Sequence, residues 1–209
     1  MKKIIFFLIF ITLTSACFAK ESPHRFGITF EGGTSIAFMA RADNGQPWHE
    51  LYGTAGGTFF YQYRISKYLA IRPELGLYSY FFGVPGPGSI GSDEIFATLN
   101  TRIGLGLSIY TFSSKNISFP VTFSPFVSAR LYDSAGKAKT GFSDCELPIV
   151  RNNYFSGGIQ IALGVEFKGS YTSAGGGFSI FTRFGDQLST GGQGTGIIPS
   201  FGALITVFW

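Results

Sequence analysis

Apolar residues alternate with small or polar residues along much of the chain, and this period of two restricts the fold more than any other feature. The clearest example runs from residue 155 to 168, where one set of alternate residues is almost entirely apolar and the other is small or polar. Alternate side chains of a β-strand point to opposite faces, whereas a helix would space apolar residues three and four apart. The segment therefore predicts a strand with two chemically different faces.

Similar segments recur along the chain. We predict eight strands, at residues 25–39, 53–65, 69–82, 95–112, 119–132, 154–168, 174–185 and 197–209. The connections after the second, fourth and sixth strands are short, and the others are roughly ten to twenty residues long. Short turns at one end and long loops at the other are typical of outer-membrane barrels, and we expect the long loops to be extracellular. The prediction is an all-β fold, an eight-stranded antiparallel transmembrane up-and-down β-barrel.

The start of the chain indicates export. Lys2 and Lys3 precede an apolar run at residues 4–11, and small residues around Ala19 suit signal-peptide cleavage. We therefore predict a signal peptide at 1–19 and an outer-membrane β-barrel domain at 20–209. The less favoured alternative is a lipid anchor at Cys17, because Thr14 occupies the position where a lipoprotein signal has a large apolar residue.

The last strand carries a second indication. Ile205, Val207 and Trp209 fall on one of its faces. This arrangement resembles the C-terminal signal by which the barrel-assembly machinery recognises its substrates. Alternation alone fits a soluble β-sandwich equally well, but a signal peptide together with this terminal strand favours the outer membrane.

Composition agrees with a lipid-facing wall. Charged residues make up 13% of the chain, compared with about 25% in soluble domains, and aromatic residues make up 17%. Removing Lys2 and Lys3 from the 16 basic residues leaves 14, against 12 acidic residues. This near-balance gives no reason to expect a nucleic acid partner.

One segment carries a family resemblance. Residues 61–76, YQYRISKYLAIRPELG, resemble the hairpin of small eight-stranded outer-membrane β-barrel proteins of the porin family. The resemblance extends over the whole chain after the signal peptide. It implies an outer-membrane location, with membrane lipid and the barrel-assembly machinery as partners. It carries no catalytic motif and implies no cofactor.

The polar faces of the strands contain the charged residues, so we expect these side chains in the barrel interior. Eight strands leave a space that side chains can fill, and buried charges need partners there. We expect Glu74 to pair with Arg72 or Arg102, and Glu166 with Arg183 or Arg130. The alternative is a narrow channel for small solutes or ions. The predicted interior set is Glu31, Arg64, Arg72, Glu74, Arg102, Arg130, Glu166 and Arg183.

The long loops are the other candidate site, because loops on a rigid scaffold commonly carry binding functions. We expect a structural or surface-interaction role, with host or surface molecules as ligands. Only two histidines occur in the chain, and no motif predicts a catalytic site, a metal site or an enzyme. Cys145 is most simply an incidental loop residue, with a reactive thiol or an intermolecular link as alternatives. The candidate loop contacts are Trp48, His49, Lys137, Lys139, Glu146 and Arg151.

Overall fold

The computed structural model describes residues 23–40, 47–85, 92–114, 116–133, 150–152, 155–168, 174–190 and 195–209. Among these residues, no helix is long and apolar enough to cross a membrane. The strands are β1 (His24–Ala40), β2 (Pro47–Ser66), β3 (Leu69–Pro85), β4 (Ser92–Ser113), β5 (Ile117–Asp133), β6 (Val150–Asn152), β7 (Phe155–Lys168), β8 (Gly175–Thr190) and β9 (Thr195–Phe208).

All the strands belong to one closed antiparallel sheet. Neighbours follow the order β6-β8-β7-β5-β4-β3-β2-β1-β9, and an additional pairing of β8 with β9 closes the ring. The short β6 pairs with residues 188–190 of β8, beyond the part of β8 that pairs with β7. The nine strands therefore occupy eight positions, and the predicted eight-stranded up-and-down barrel is confirmed. A sandwich is excluded because the ladder has no open edge.

The strands extend further at the loop end than the alternation predicts. The β1–β2 ladder continues to Ala40 and Pro47, β4 begins at Ser92, and β8 ends at Thr190. Only residues 41–46, 86–91 and 191–194 separate these strands, so the predicted lengths of those three loops were wrong. Backbone hydrogen bonds continue a hairpin whatever its side chains are, and side-chain alternation therefore underestimates strand length.

The hairpin that carries the family resemblance is present. β2 and β3 pair antiparallel on either side of Lys67 and Tyr68. Pro73 has no N–H to donate, and the pairing of β2 with β3 is interrupted between Glu74 and Ile71. Pro73 still pairs in register with Leu105 of β4. The proline thus weakens one side of the strand only.

Glycines on the inner face make room for aromatic rings. A Cβ added at Gly27 would overlap the Phe60 ring, and one at Gly202 would lie 2.8 Å from the Phe181 ring. Gly185 has a φ of 116°, at a register shift between β8 and β9. Placing rings over glycines of neighbouring strands fills a narrow barrel and stabilises its curvature.

The two faces of the wall are inverted relative to a soluble protein. Large apolar side chains point outward, as at Ile103 (60% exposed) and Val127 (62% exposed). Polar and charged side chains point inward, and Arg183 and Asn100 are fully buried. The predicted assignment of the apolar face to the outside and the polar face to the interior is confirmed along these strands.

Candidate functional site in the barrel interior

A buried ion cluster lies near the middle of the barrel interior, since each of its residues is close to the midpoint of its strand. Glu31 Oε1 accepts a hydrogen bond from Arg183 Nη2 at 2.6 Å, and Glu31 Oε2 accepts one from Arg102 Nη2 at 3.1 Å. Gln160 Oε1 accepts from both arginines, at 3.0 Å and 3.2 Å. Thr58 Oγ1 accepts a further bond from Arg102 at 2.8 Å. We call Glu31, Arg102 and Arg183 the central cluster; one carboxylate in it holds two guanidinium groups from distant strands.

Aromatic rings close the space around this cluster. The Arg183 guanidinium lies 4.8 Å from the Tyr78 ring centroid and 5.2 Å from that of Phe181. Arg102 lies 5.5 Å from Tyr78 and 5.8 Å from Phe126. Cation–π contacts of this kind stabilise a desolvated guanidinium by roughly 1–2 kcal/mol. The rings and the cluster bury one another, and each of these side chains is at most 6% exposed.

A second ion pair lies nearer the turns. Arg72 Nε is 2.9 Å from Glu74 Oε1, without the alignment of a hydrogen bond. Arg72 Nη2 donates to Thr29 Oγ1 at 2.8 Å, and the guanidinium stacks 3.6 Å from the Phe60 ring centroid. Ser124 Oγ donates to Glu74 at 3.4 Å. Arg72 is therefore the partner of Glu74, the first of the two that the sequence suggested.

The third cluster lies at the end with the short turns. Glu166 is 3.4 Å from Arg25 Nη1 and accepts hydrogen bonds of 3.3 Å and 3.4 Å from the Tyr110 hydroxyl. Gln62 donates to that hydroxyl at 2.9 Å, and the Arg64 guanidinium stacks 4.1 Å above the Tyr110 ring. This cluster connects β1, β2, β4 and β7 across the barrel.

The expected partners of Glu166 were wrong. Arg183 pairs in register with Gln160, six residues along β7 from Glu166, and its carboxylate partner is Glu31. Arg130 lies half-buried at the opposite, loop end of β5. Alternation assigns residues to a face but gives neither their height along the barrel nor what faces them across it.

Arg25 was missed from the predicted interior set, although the sequence contained a signal for it. Arg25 has the same parity along β1 as Glu31, and Phe26 beside it points outward with 44% of its surface exposed. Arg25 is buried, and its guanidinium lies 5.0 Å from the Phe208 ring centroid. Extending the parity to the first residue of the strand would have placed it inside.

A small cavity of about 20 Å³ lies between the clusters. Its polar lining includes Glu74, Thr122, Gln160, Glu166 and Thr206. This volume suits about one water molecule. Among the described residues, no group of three or more His, Cys, Asp or Glu side chains could hold a metal ion. The chemistry available inside is ion pairing and hydrogen bonding.

The candidate loop contacts are placed differently from the prediction. Trp48 and His49 pair with Met39 and Phe38 within the β1–β2 ladder, and Arg151 of β6 pairs with Ser189 of β8. They lie on strands, because these ladders run past the points where the alternation ends. The other three contacts (Lys137, Lys139 and Glu146) lie outside the described residues, as do Cys17 and Cys145.

The terminal strand β9 closes the barrel against β1. Ile205 points outward with 59% of its surface exposed, and Val207 and Trp209 on the same face are half-buried. Trp209 and Phe26 exchange backbone hydrogen bonds of 3.0 Å and 2.9 Å. Phe208, on the other face, is buried in the interior.

The outer wall has the dimensions and chemistry of a membrane-spanning surface. On β4 the outward residues from Leu99 to Ile109 are apolar except for Thr101. Ten residue steps cover about 34 Å along a strand, or about 26 Å across a membrane at a usual tilt of about 40°. The apolar band of outer-membrane barrels is about 25 Å tall. A closed barrel with this wall and a charged interior is a transmembrane barrel.

No protein-family model matches the chain, and no curated protein matches it in sequence. Among solved structures, the outer membrane protein OprG of Pseudomonas aeruginosa is 9% identical, over 91% of this chain and 98% of its own, with a TM-score of 0.49. The attachment invasion locus protein Ail of Yersinia pestis, in complex with the heparin analogue sucrose octasulfate, is 9% identical over 88% and 98%, with a TM-score of 0.34.

The N-terminal β-barrel domain of OprF from Pseudomonas aeruginosa is similar to the same degree. It is 9% identical, over 86% of this chain and 96% of its own, with a TM-score of 0.31. These likenesses are too distant to inform function. The closed eight-position ladder and the inverted faces of the wall carry the assignment by themselves: the protein is a small outer-membrane β-barrel.

Proposed function

We propose that the protein is a non-conducting outer-membrane barrel with a structural or surface-interaction role, exercised at its loop end. The observation that carries this proposal is the filled interior at the central cluster. Arg183 and Tyr78 are fully buried there, and Glu31 and Arg102 are nearly so. A solute would have to displace paired charges and packed rings, which is costly in a medium of low dielectric constant.

The proposal places binding at the loops because the chain leaves the rigid barrel there. The longest connection, residues 134–149, joins β5 to β6 and contains lysines and acidic residues in its sequence. Mixed charge suits contacts with host or surface molecules. The further proposed partners are membrane lipid and the barrel-assembly machinery; no nucleic acid, cofactor or enzymatic activity is proposed.

Planar-bilayer recording tests the closed interior. Protein purified from the membranes of expressing cells, with heat-modifiable gel mobility as proof of folding, should give no reproducible conductance. A steady wild-type conductance, with an ion selectivity that changes in an Arg102→Gln variant, would contradict the proposal. The same recording of an Ile103→Val variant, altered only on the outer wall, controls for reconstitution.

Adhesion tests the loop. Bacteria expressing the protein should adhere to epithelial cell layers more than bacteria without it. Replacing residues 135–148 by a short Gly-Ser linker should abolish the difference, because β5 and β6 remain to support the loop ends. Replacement of residues 87–90 in a shorter loop is the control. Adhesion that survives the first replacement would exclude this loop.

A narrow channel is the second candidate function, and one observation favours it. The described interior contains three more arginines than glutamates, and this positive excess would suit anions. The channel would predict a conductance that favours chloride over potassium. The residues are Arg25, Arg64, Arg72, Arg102, Arg130 and Arg183 against Glu31, Glu74 and Glu166.

A further inference from the structure

The two ends of the barrel differ in charge. In the sequence around the loops (41–52, 86–96, 131–154 and 185–197) there are eight acidic residues and four basic ones. At the turn end, Lys67 lies in the β2–β3 turn and Lys168 is the last residue of β7. The connecting segments 67–68, 114–116 and 169–174 contain no Asp or Glu in their sequence, and 114–116 contains Lys115. The three connecting turns are therefore basic.

The described carboxylates nearest the turn end are engaged inside the barrel. Glu166 is buried against Arg25 and Tyr110, and Glu74 is buried against Arg72. Every carboxylate whose side chain the structure describes lies in the interior. The outer rim at the turns therefore presents Lys67 without a described Asp or Glu side chain on its surface, which complements an anionic partner.

Aromatic side chains fix the depth of this rim in the membrane. Tyr63 is 42% exposed on the outer wall, Tyr68 is 52% exposed in the β2–β3 turn, and His24 packs against the rings of Tyr61 and Tyr63. Tyrosines on a lipid-facing surface lie at the level of the headgroups. The Lys67 ammonium lies 4.6 Å from the Tyr68 ring centroid. It is therefore held at the depth where phospholipid phosphates lie.

We propose that the rim formed by His24, Tyr63, Lys67, Tyr68 and Lys168 binds the phosphates of anionic phospholipids in the periplasmic leaflet. The two lysine ammonium groups supply the charge, and the hydroxyls of Tyr63 and Tyr68 supply hydrogen-bond donors on the Lys67 side of the rim. This inference rests on the proposed function, in which the long loops lie outside the cell and the short turns face the periplasm. Each basic side chain near an anionic surface favours binding by about five-fold.

Native mass spectrometry of the purified protein tests the proposal. The protein is offered equal amounts of phosphatidylglycerol and phosphatidylcholine in mild detergent, and the lipids it retains are counted. Wild type should retain phosphatidylglycerol preferentially. Lys67→Gln with Lys168→Gln should lower the preference by about five-fold per lysine. Lys137→Gln with Lys139→Gln makes the same charge change in the 134–149 loop and should leave the preference intact.

One further double variant and one labelling experiment separate the outcomes. Lys67→Arg with Lys168→Arg keeps both charges and should retain the preference if charge is the cause. Equal retention of both lipids by wild type, or an equal loss in the Lys137 and Lys139 variant, would overturn the proposal. Labelling of Cys145 on intact cells by a membrane-impermeant maleimide tests the orientation separately. Bilayer conductance bears only on the closed interior, so the two proposals can fail independently.

Discussion

At the scale of single residues, Glu31 is the position on which the interior depends most. Its carboxylate is the shared partner of two buried guanidinium groups, those of Arg102 in β4 and Arg183 in β8. Its removal leaves both cations in a space that the aromatic rings close to water. Buried charges deprived of their partner are strongly destabilising.

We therefore expect Glu31→Gln to lower the free energy of unfolding by about 3–5 kcal/mol. The measurement is urea unfolding from lipid vesicles, followed by tryptophan fluorescence. Glu166→Gln is the comparison, because Glu166 faces Arg25 at 3.4 Å, whereas Glu31 lies between two arginines at 2.6 Å and 3.1 Å. Its loss should be smaller. Equal losses of unfolding free energy would show that the central cluster contributes no more to stability than the cluster around Glu166.

At the scale of elements, β1 shows how inner and outer glycines differ. An added Cβ at Gly27 would meet the Phe60 ring and the backbone of β9, whereas one at Gly32 would meet nothing within 4 Å. We expect Gly27→Ala to cost about 1–3 kcal/mol through overpacking, and Gly32→Ala to change stability by less than about 0.5 kcal/mol. Thermal unfolding in detergent compares the two variants. A tolerated Gly27→Ala would mean that Phe60 can move aside.

Variants of the terminal strand can distinguish an effect on barrel stability from an effect on barrel assembly. Trp209 contributes backbone hydrogen bonds to Phe26, and an alanine would keep them. If Trp209 is part of an assembly signal, Trp209→Ala should refold in vitro as wild type does but reach the outer membrane in lower amounts. Quantifying the heat-modifiable protein in membrane fractions measures this. Phe201→Ala, also outward on β9, is the control, and an equal loss there would argue against a specific signal.

At the scale of the whole molecule, the outer wall determines how the barrel sits in lipid. Ile103 lies near the middle of β4 and Ile109 lies near its turn end, both exposed on the wall. We expect Ile103→Lys to cost about 2–4 kcal/mol in vesicles and Ile109→Lys about 0–1 kcal/mol, because the cost of a charge depends on its depth. Unfolding in vesicles measures both. Equal costs would be incompatible with a bilayer around this wall.

The alternation of side chains by itself determined the strands, their two faces and the side of the wall that carries charge. Parity is a local property, since each residue turns the next side chain to the opposite face. The same parity, read to the first residue of β1, would also have placed Arg25 inside. Turn chemistry and spacing then give the number of strands, because each short connection forces an antiparallel return.

Only the closed barrel decided which charges meet. Glu166 and Arg25 are 141 residues apart, and Glu31 and Arg183 are 152 apart. Backbone pairing that continues past the end of the alternation places Trp48, His49 and Arg151 in strands. Strand tilt and stagger set the height of each residue and what faces it across the interior. These quantities exist only once the last strand pairs with the first, and no local pattern contains them.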